Sequence, residues 1–259
     1  MNKRVNKLTA IERRQAILQQ LKLHYSVKVA DLSRLLYIGE ATIRRDLKKL
    51  ENGGYLKRVY GGAVRLDTID RELPIEVRQT DNAEAKQLLC AIAAQLIRDG
   101  DVLSVDSSTT AQFLSDYLAQ FANLTVLTQG QKLIESLRYT TVNVYCAGGL
   151  LNKTTLSYSG MYARQFFSDF CSDIAFISCK GISRQHGMSW VYEEETVVRK
   201  IMLEQAKKRV LLCDHTKFDK VSTCKLFGFE LVDYLITDQK PDDAWIEFLT
   251  SKGVQLMYP

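Results

Sequence analysis

The sequence lacks the features of a membrane or secreted protein. No apolar run approaches the roughly 18–20 residues that a helix needs to cross a bilayer. The N-terminus has no apolar core of a secretory signal, so we expect the chain to stay in the cytoplasm and to bind no membrane. Apolar residues make up 46% of the chain and charged residues 25%, which is typical of a globular protein with a sizeable core.

Paired cysteines are missing too. The six cysteines are scattered without a CxxC pair, and most lie in apolar runs. They are Cys90, Cys146, Cys171, Cys179, Cys213 and Cys224. This distribution favours buried free thiols over a disulfide framework or a zinc site. No metal site and no cofactor is predicted.

Acidic residues are scarce in the first quarter of the chain. Residues 1–66 hold 15 Lys and Arg against 5 Asp and Glu, a net charge of +10. The remaining residues hold 20 Lys and Arg against 25 Asp and Glu, a net charge of −5. This division predicts a small polyanion-binding domain joined to a mildly acidic domain with another role. Charge alone does not separate DNA from RNA or from an anionic membrane surface.

Three short helices are predicted within the basic segment, over residues 8–24, 27–38 and 39–53, with Thr9 as the first N-cap. Gly39 interrupts the chain before the third helix. The expected buried positions are Ile11, Ile17, Leu18 and Leu21, then Val29, Leu32, Leu35 and Leu36, and finally Ile43, Leu47 and Leu50. Such an arrangement is the helix-turn-helix plan, in which the third helix enters the major groove of DNA.

Residues 55–66 follow the third helix and are short enough for a two-stranded wing. On an isolated helix, its exposed basic residues would be equally typical of a solvated face. The preceding helices and the basic, Gly-rich hairpin favour duplex DNA, because A-form RNA grooves do not admit a recognition helix. The predicted DNA-binding residues are Glu40, Thr42, Arg44, Arg45, Lys48, Lys57, Arg58 and Tyr60. Among them Arg44 and Arg45 are the candidates for base reading, since Arg forks onto guanine.

The rest of the chain is divided into a polar linker, residues 67–82, and an α/β domain, residues 83–259. Apolar runs of strand length alternate with helical segments, at residues 101–107, 123–129, 142–148, 173–179, 209–215 and 232–238. Near-continuous apolar strands predict a mostly parallel, Rossmann-like sheet that is covered on both faces. Ligands of such sheets bind at the carboxyl ends of the strands.

Three of these strand ends carry candidate chemistry. Residues 106–110 (DSSTT) place small hydroxyls between a strand and a helix, a pattern that suits phosphate and is also typical of helix capping. Gly148 and Gly149 permit close approach of the backbone to a ligand, or simply a turn. Lys217 could neutralise a phosphate or solvate a helix start. If the three ends meet at one edge of the sheet, they predict a phosphate-ligand pocket.

The stretch TIRRDLKKLE followed by RVYGGAV resembles the winged helix-turn-helix signature of DeoR-family bacterial transcriptional regulators. Residues 106–110, the Gly148–Gly149 pair, Lys180–Gly181, the Glu193–Glu195 run and DHTKF resemble motifs of the sensor domain of that family. The chain departs from the family pattern at several positions, which include Gly39, Tyr60, Ser108, Gln129 and Tyr192.

The resemblance implies a sensor domain similar in fold to ribose-5-phosphate isomerase and sugar-phosphate deaminases, which usually binds a phosphorylated sugar or a related metabolite. The effector-binding residues expected from the strand ends and the resemblance are Asp106, Ser107, Ser108, Thr109, Thr110, Gly148, Gly149, Lys180, Glu195 and Lys217.

The expected function is that of a sequence-specific DNA-binding regulator, a repressor of sugar or carbohydrate metabolism genes. A phosphorylated sugar would change its affinity for the operator, and a homodimer or homotetramer would bind repeated half-sites. The alternative is a sugar-phosphate isomerase, in which Asp106, Asp214 or Glu195 would serve as the base. The attached DNA-binding domain gives ligand binding a purpose without turnover, so no enzyme activity and no catalytic residue is expected.

Overall fold

The computed structural model describes residues 8–65, 72–73 and 75–259. The chain forms two compact units, Met1–Arg78 and Gln79–Pro259, called here the N-terminal and C-terminal units. Part of the expected linker, residues 67–71 and Pro74, lies outside the described residues. The last part of that segment is helical, because α4 spans Ile75–Thr80.

Between residues 8 and 65, the described part of the N-terminal unit contains three helices and three short strands. In chain order they are α1 (Ala10–His24), β1 (Ser26–Lys28), α2 (Val29–Leu36), α3 (Glu40–Asn52), β2 (Leu56–Val59) and β3 (Gly62–Arg65). Thr9 is the N-cap of α1 in a capping box with Glu12, as predicted. The helix-turn-helix with its wing is thereby confirmed.

The wing differs from the prediction, since it has three strands rather than two. Its order is β1-β3-β2, and both pairings are antiparallel. Gly62 lies so close to β1 that a Cβ there would overlap the carbonyl oxygen of Val27. The sequence pattern missed β1 because three residues between two helices are too short to show a period of two.

The expected core of this unit is mostly correct. Ile17, Val29 and Ile43 are buried in one apolar cluster with Leu18, Leu21, Leu32, Leu47 and Leu50. Ile11 and Leu35 were predicted to be buried, but they are 50% and 52% exposed. Both keep helical spacing, yet a stripe that repeats every 3–4 residues only approximates the helical period, and positions at its margin face solvent.

The C-terminal unit is an α/β domain with a seven-stranded sheet. Its elements are α5 (Ala83–Ala94), β4 (Val102–Val105), α6 (Ser115–Leu118), β5 (Thr125–Thr128), α7 (Gln131–Leu137), β6 (Asn143–Cys146), β7 (Leu150–Asn152), β8 (Ser157–Ser159), α8 (Met161–Ser168), β9 (Ser172–Ser178), β10 (Gly181–Ser183), β11 (Gly187–Trp190), α9 (Glu193–Glu204), β12 (Ala206–Leu212), β13 (Cys224–Phe227), β14 (Tyr234–Ile236), α10 (Asp243–Ser251) and β15 (Gln255–Met257).

The main sheet has the order β15-β14-β12-β9-β4-β5-β6, and every pairing in it is parallel. Two apolar clusters cover its faces. Along β9, Ile174 and Phe176 point into one cluster, while Ala175 and Ile177 point into the other. The predicted parallel sheet with two covered faces is confirmed, and β15 is an additional edge strand that the sequence pattern had not indicated.

All six cysteines are free. Cys90, Cys179 and Cys213 are buried, as predicted, whereas Cys146 and Cys171 are exposed. Cys146 lies on β6, an edge strand, which explains why its apolar neighbours did not imply burial. Within the described residues, no helix is both long and apolar enough to cross a membrane.

Candidate DNA-binding surface and effector site

The third helix of the N-terminal unit is held from one side only. Ile43, Leu47 and Leu50 face the core, and Gly39 is the N-cap without a side-chain hydrogen bond. Asp46 is also buried, and its carboxylate forms an ion pair with Arg13 of α1. Arg13 Nε donates to Asp46 Oδ2 at 2.6 Å, and Arg13 Nη2 donates to Asp46 Oδ1 at 3.3 Å. The apolar stripe and this ion pair together fix the rotation of α3 about its own axis.

The opposite face of α3 carries the predicted DNA-binding residues. Arg44, Arg45 and Lys48 are exposed, and Thr42 is half-buried. Arg44 is paired at 3.0 Å with Glu40, one turn earlier on the same helix. In the described part of the chain, the side chain of Arg45 takes part in no ion pair or hydrogen bond. Arg45 is therefore the arginine that is available to a base edge without breaking an internal contact.

The wing presents its basic residues differently. Lys57 is exposed, and Tyr60 is fully exposed at the turn between β2 and β3. Arg58 instead lies against the end of α3, where its Nε donates to Glu51 at 2.6 Å and its backbone N–H donates to the same carboxylate at 2.9 Å. This contact attaches the wing to α3, so Arg58 has a structural partner besides any phosphate.

In the C-terminal unit, the strand order brings several predicted residues to one edge. The segment of residues 106–110 follows β4 and is called here the hydroxyl loop. Ser178 ends β9, and Asp214 follows β12. Since β4, β9 and β12 are neighbours in a parallel sheet, their carboxyl ends meet.

Two of the predicted effector residues, Asp106 and Glu195, are held by a buried arginine. Arg199 is fully buried and lies 2.7 Å from Asp106 and 3.4 Å from Glu195, with its guanidinium 3.9 Å from the centre of the Trp190 ring. Burial lowers the pKa of Arg199, but the two carboxylates outweigh it and raise the pKa above its usual value. Arg199 thus remains a cation in the interior.

Both carboxylates have all their oxygens occupied. Asp106 accepts from the backbone N–H groups of Ser108 and Ser178 as well as from Arg199. Glu195 accepts from Thr155, Asn152, Trp190 and Arg199. These residues position the hydroxyl loop and α9, rather than presenting a free carboxylate to a ligand.

Lys217 is brought to the hydroxyl loop by the short helical turn His215–Lys217 after β12. Its Nζ lies 3.2 Å from Thr110 Oγ1, 2.8 Å from Ser178 Oγ and 3.4 Å from Asp214 Oδ2. Burial lowers the pKa of Lys217, but Asp214 and other neighbours more than offset it, so the pKa is raised. Burial also raises the pKa of Asp214, while Lys217 and Thr216 outweigh it and lower the pKa.

A second lysine, which the sequence pattern did not identify, also lies at the hydroxyl loop. Lys86 of α5 is only 5% exposed, and its Nζ donates to Thr109 Oγ1 at 3.3 Å. Thr109 and Thr110 therefore each accept from an ammonium group. Sequence reasoning missed Lys86 because candidate residues were sought only at the ends of predicted strands, and α5 precedes the first strand of the sheet.

The remaining predicted residues have other surroundings. Gly149 has φ +128°, and a Cβ there would overlap the carbonyl oxygen of Ser159, so the hairpin of β7 and β8 requires this glycine. Gly148 has no other atom within 4 Å of a Cβ position. Lys180 is half-buried after β9, and its backbone N–H donates to the Ser189 carbonyl at 2.9 Å.

Comparison with known proteins identifies both units. The DeoR-like helix-turn-helix domain matches residues 13–69, and the DeoR C terminal sensor domain matches residues 81–239. The chain belongs to the DeoR family. It is therefore a helix-turn-helix transcriptional regulator, and its partner is operator DNA.

Curated members of the DeoR family match over almost the full length. The transcriptional repressor GlcR of Bacillus subtilis is 34% identical over 95% of this chain and 95% of its own. The regulator YulB of the same species is 32% identical over 95% of both chains. The regulator GolR of Listeria innocua is 32% identical over 94% of this chain and 96% of its own.

Among solved structures, a ribose 5-phosphate isomerase from Methanocaldococcus jannaschii matches with a TM-score of 0.40 and 14% identity, over 53% of this chain and 55% of that chain. This likeness is too low to say anything about the function of the DeoR-family chain.

Proposed function

We propose that this DeoR-family regulator is a repressor whose affinity for its operator is changed by a phosphorylated sugar or a related metabolite. The name of the matching C-terminal family, a sensor domain, supports ligand sensing. The name of one relative, GlcR, supports repression as the sign. A homodimer or homotetramer would bind repeated half-sites, since symmetry multiplies the affinity of a small helix-turn-helix unit.

The hydroxyl loop carries the proposal of a phosphate ligand. Lys86 donates to Thr109 Oγ1, and Lys217 donates to Thr110 Oγ1. A hydroxyl oxygen that accepts from an ammonium group still has its own proton to donate, and it becomes a stronger donor. Within the described residues neither threonine donates to a protein acceptor, so both O–H groups are available to an oxyanion.

Because the hydroxyl loop is buried, ligand binding there would be coupled to a conformational change and thereby to the affinity for DNA. Thr109 and Thr110 are only 5% and 1% exposed. A phosphate reaches them only if the segments that cover them move, and a ligand that favours one of two arrangements shifts the population toward it. A coupling of ~1–3 kcal/mol would change the operator affinity about 5–150-fold.

The contacts of the three candidate carboxylates argue against isomerase activity. An isomerase base needs a carboxylate that is free to take a proton from the substrate. Asp106 and Glu195 are saturated by hydrogen bonds, and Asp214 is engaged by Thr216 and Lys217. None of these candidate bases is open to a substrate, which supports ligand binding without turnover.

The test is a fluorescence-anisotropy titration of the full chain with the DNA upstream of its own gene and of neighbouring genes. Each titration is repeated with inorganic phosphate and with a panel of hexose, pentose, triose and polyol monophosphates. We expect at least one phosphorylated compound to weaken operator binding by 5-fold or more, as in a coupling of ~1 kcal/mol.

Two controls separate the alternatives. Duplex RNA of the same sequence should not compete, because the recognition helix does not fit its deep groove. If the operator affinity is the same with and without every compound of the panel, the proposal that the chain senses a phosphorylated effector is wrong. Turnover of any sugar phosphate that Glu195→Gln abolishes would restore the enzyme alternative.

A further inference from the structure

Gln129 follows β5 at the carboxyl edge of the sheet and is fully buried. Neither its Oε1 nor its Nε2 has a hydrogen-bond partner among the described residues. A buried polar group left unsatisfied costs about 1–3 kcal/mol, and native proteins contain few of them. An amide with both ends unpartnered therefore needs a reason.

A second unpartnered polar group lies on the neighbouring segment. Ser157 begins β8 and is fully buried, and its Oγ has no partner in the described part of the chain. Gly130 and Ser157 form an antiparallel bridge, and Tyr158 N–H donates to the Gln129 carbonyl at 2.9 Å. The Gln129 amide and the Ser157 hydroxyl thus belong to adjacent, hydrogen-bonded stretches of backbone.

These two residues adjoin the hydroxyl loop on the side away from Lys217. A Cβ built on Gly130 would lie 3.0 Å from Ser107 Cα, so the chain after Gln129 contacts the loop. The sheet order β12-β9-β4-β5 puts Lys217 beyond one side of the loop and Gln129 beyond the other. The Lys217 Nζ reaches Thr110 after β4 and Ser178 at the end of β9, which are one and two strand spacings from β5. Neighbouring strands are ~4.8 Å apart, so the lysine ammonium and the chain at Gln129 are separated by roughly 5–10 Å.

We propose that Gln129 and Ser157 form the part of the effector site that recognises neutral hydroxyl groups, opposite the phosphate end at Lys86 and Lys217. This inference rests on the function proposed above. The amide offers one acceptor and one donor group, and the serine hydroxyl offers both. Vicinal hydroxyls of a sugar satisfy all of them, whereas a carboxylate, which only accepts, would face Gln129 Oε1 without a proton.

The ligand class is therefore a phosphorylated polyhydroxy compound rather than a phosphorylated carboxylic acid. A molecule of this class extends over the separation between the two ends. Gln129 and Ser157 would decide which member of the class is selected, because a site built to hydrogen-bond a hydroxyl discriminates strongly against an analogue that lacks it.

Two variants test this: Gln129→Met, which keeps the length but removes both polar atoms, and Ser157→Ala. Calorimetric titration of the full chain with inorganic phosphate and with the best-binding sugar monophosphate gives two affinities for each variant. We expect Gln129→Met to weaken sugar-phosphate binding ~10-fold or more, as for two lost neutral hydrogen bonds. Affinity for inorganic phosphate should change less than about twofold, because the charged contacts remain.

Thermal unfolding without ligand provides an independent readout. Removing an unsatisfied buried polar atom costs little or stabilises, so neither variant should lower the melting temperature of the unliganded chain. The matched control is Ser172→Ala, since Ser172 is a buried serine with an unpartnered Oγ at the opposite end of the sheet, where β9 begins. It should leave both affinities unchanged.

The outcomes separate this inference from the proposed function. If the wild-type chain binds a sugar phosphate and Gln129→Met and Ser157→Ala bind it equally well, the inference is wrong and the proposed function stands. An equal loss of phosphate and sugar-phosphate affinity would also overturn it, because the residues would then act on the loop as a whole. If the wild-type chain binds no phosphorylated compound, both fall together.

Discussion

Arg44 and Arg45 are neighbours in the sequence, but their surroundings differ. Arg44 is paired with Glu40 on the exposed face of α3, while Arg45 is exposed without a partner in the described residues. A contact from Arg44 to DNA would have to compete with its existing ion pair. Sequence spacing put both arginines on the groove-facing side, and only the side-chain contacts separate them.

Arg45→Ala should therefore weaken binding to the cognate operator by ~1–3 kcal/mol and relax sequence preference at one base pair. The measurement is an anisotropy titration against the operator and a set of single-base variants. Arg138→Ala, an exposed arginine of the C-terminal unit, removes the same charge and should have little effect. Equal weakening on every sequence would assign Arg45 to a phosphate instead.

Lys217 illustrates a residue whose surroundings, rather than its type, suggest a role. Its ammonium is held by Thr110, Ser178 and Asp214, and its pKa is raised, so it stays charged at neutral pH. Lysines of the same charge elsewhere on the unit, such as Lys207, lie on the surface.

Lys217→Met should leave operator binding of the unliganded chain within about twofold and abolish the response to phosphorylated effectors, because the oxyanion loses one of the two ammonium groups at the hydroxyl loop. Lys207→Met is the matched control, since Lys207 pairs with Asp173 at the far end of the sheet. An effector response that survives in the Lys217 variant would place the phosphate site elsewhere.

The N-terminal unit contains ion pairs of very different burial, one between two helices and one within a single helix. Arg13 of α1 and Asp46 of α3 are 14% and 4% exposed, whereas Arg34 and Asp31 of α2 are 80% and 59% exposed. Removal of Arg13 leaves the buried charge of Asp46 unpaired, whereas removal of Arg34 leaves the charge of Asp31 in contact with solvent. Burial therefore decides which pair orients the recognition helix.

Arg13→Met should destabilise the helix-turn-helix by about 3 kcal/mol, since Asp46 would remain buried without its cation. Arg34→Met should cost at most about 1 kcal/mol. Denaturant unfolding of the full chain, followed by circular dichroism, measures both. The double variant Arg13→Met with Asp46→Leu should recover much of the loss, and no recovery would show that Arg13 acts by packing alone.

At the scale of the whole molecule, the division of charge predicts how DNA binding responds to salt. The positive excess lies within residues 1–66, which include the exposed residues Lys48 and Lys57. Each lysine that contacts a phosphate releases counterions, so the logarithm of the binding constant falls steeply with the logarithm of salt concentration.

Lys57→Ala should weaken binding about equally on all DNA sequences and reduce the salt slope by about 1. Titrations between roughly 50 and 200 mM salt, the range in which the effect is large, measure the slope. Lys252→Ala, in the C-terminal unit, should not change it. An unchanged slope for Lys57→Ala would exclude the wing lysine from the phosphate contacts.

Much of the fold could be predicted from local patterns. Thr9, the stripe of Ile43, Leu47 and Leu50, and the six main strands are all visible as caps and periods within short windows. The strand β1 and the exposure of Ile11 could not, because a three-residue strand has no readable period and a margin position depends on what packs beside it.

The basic helix-turn-helix and the parallel α/β sheet with hydroxyls at a strand end could be recognised from the sequence alone, because charge and periodicity are local properties of the chain. Which side chains meet depends on how the chain is folded. Arg199 reaches Asp106 across 93 positions, and Lys86 reaches Thr109 from a helix before the sheet. The side chains of Gln129 and Ser157 have no hydrogen-bond partner among the described residues, although their backbones are adjacent. Such contacts follow from strand order and helix packing, which bring distant positions together and leave no local pattern.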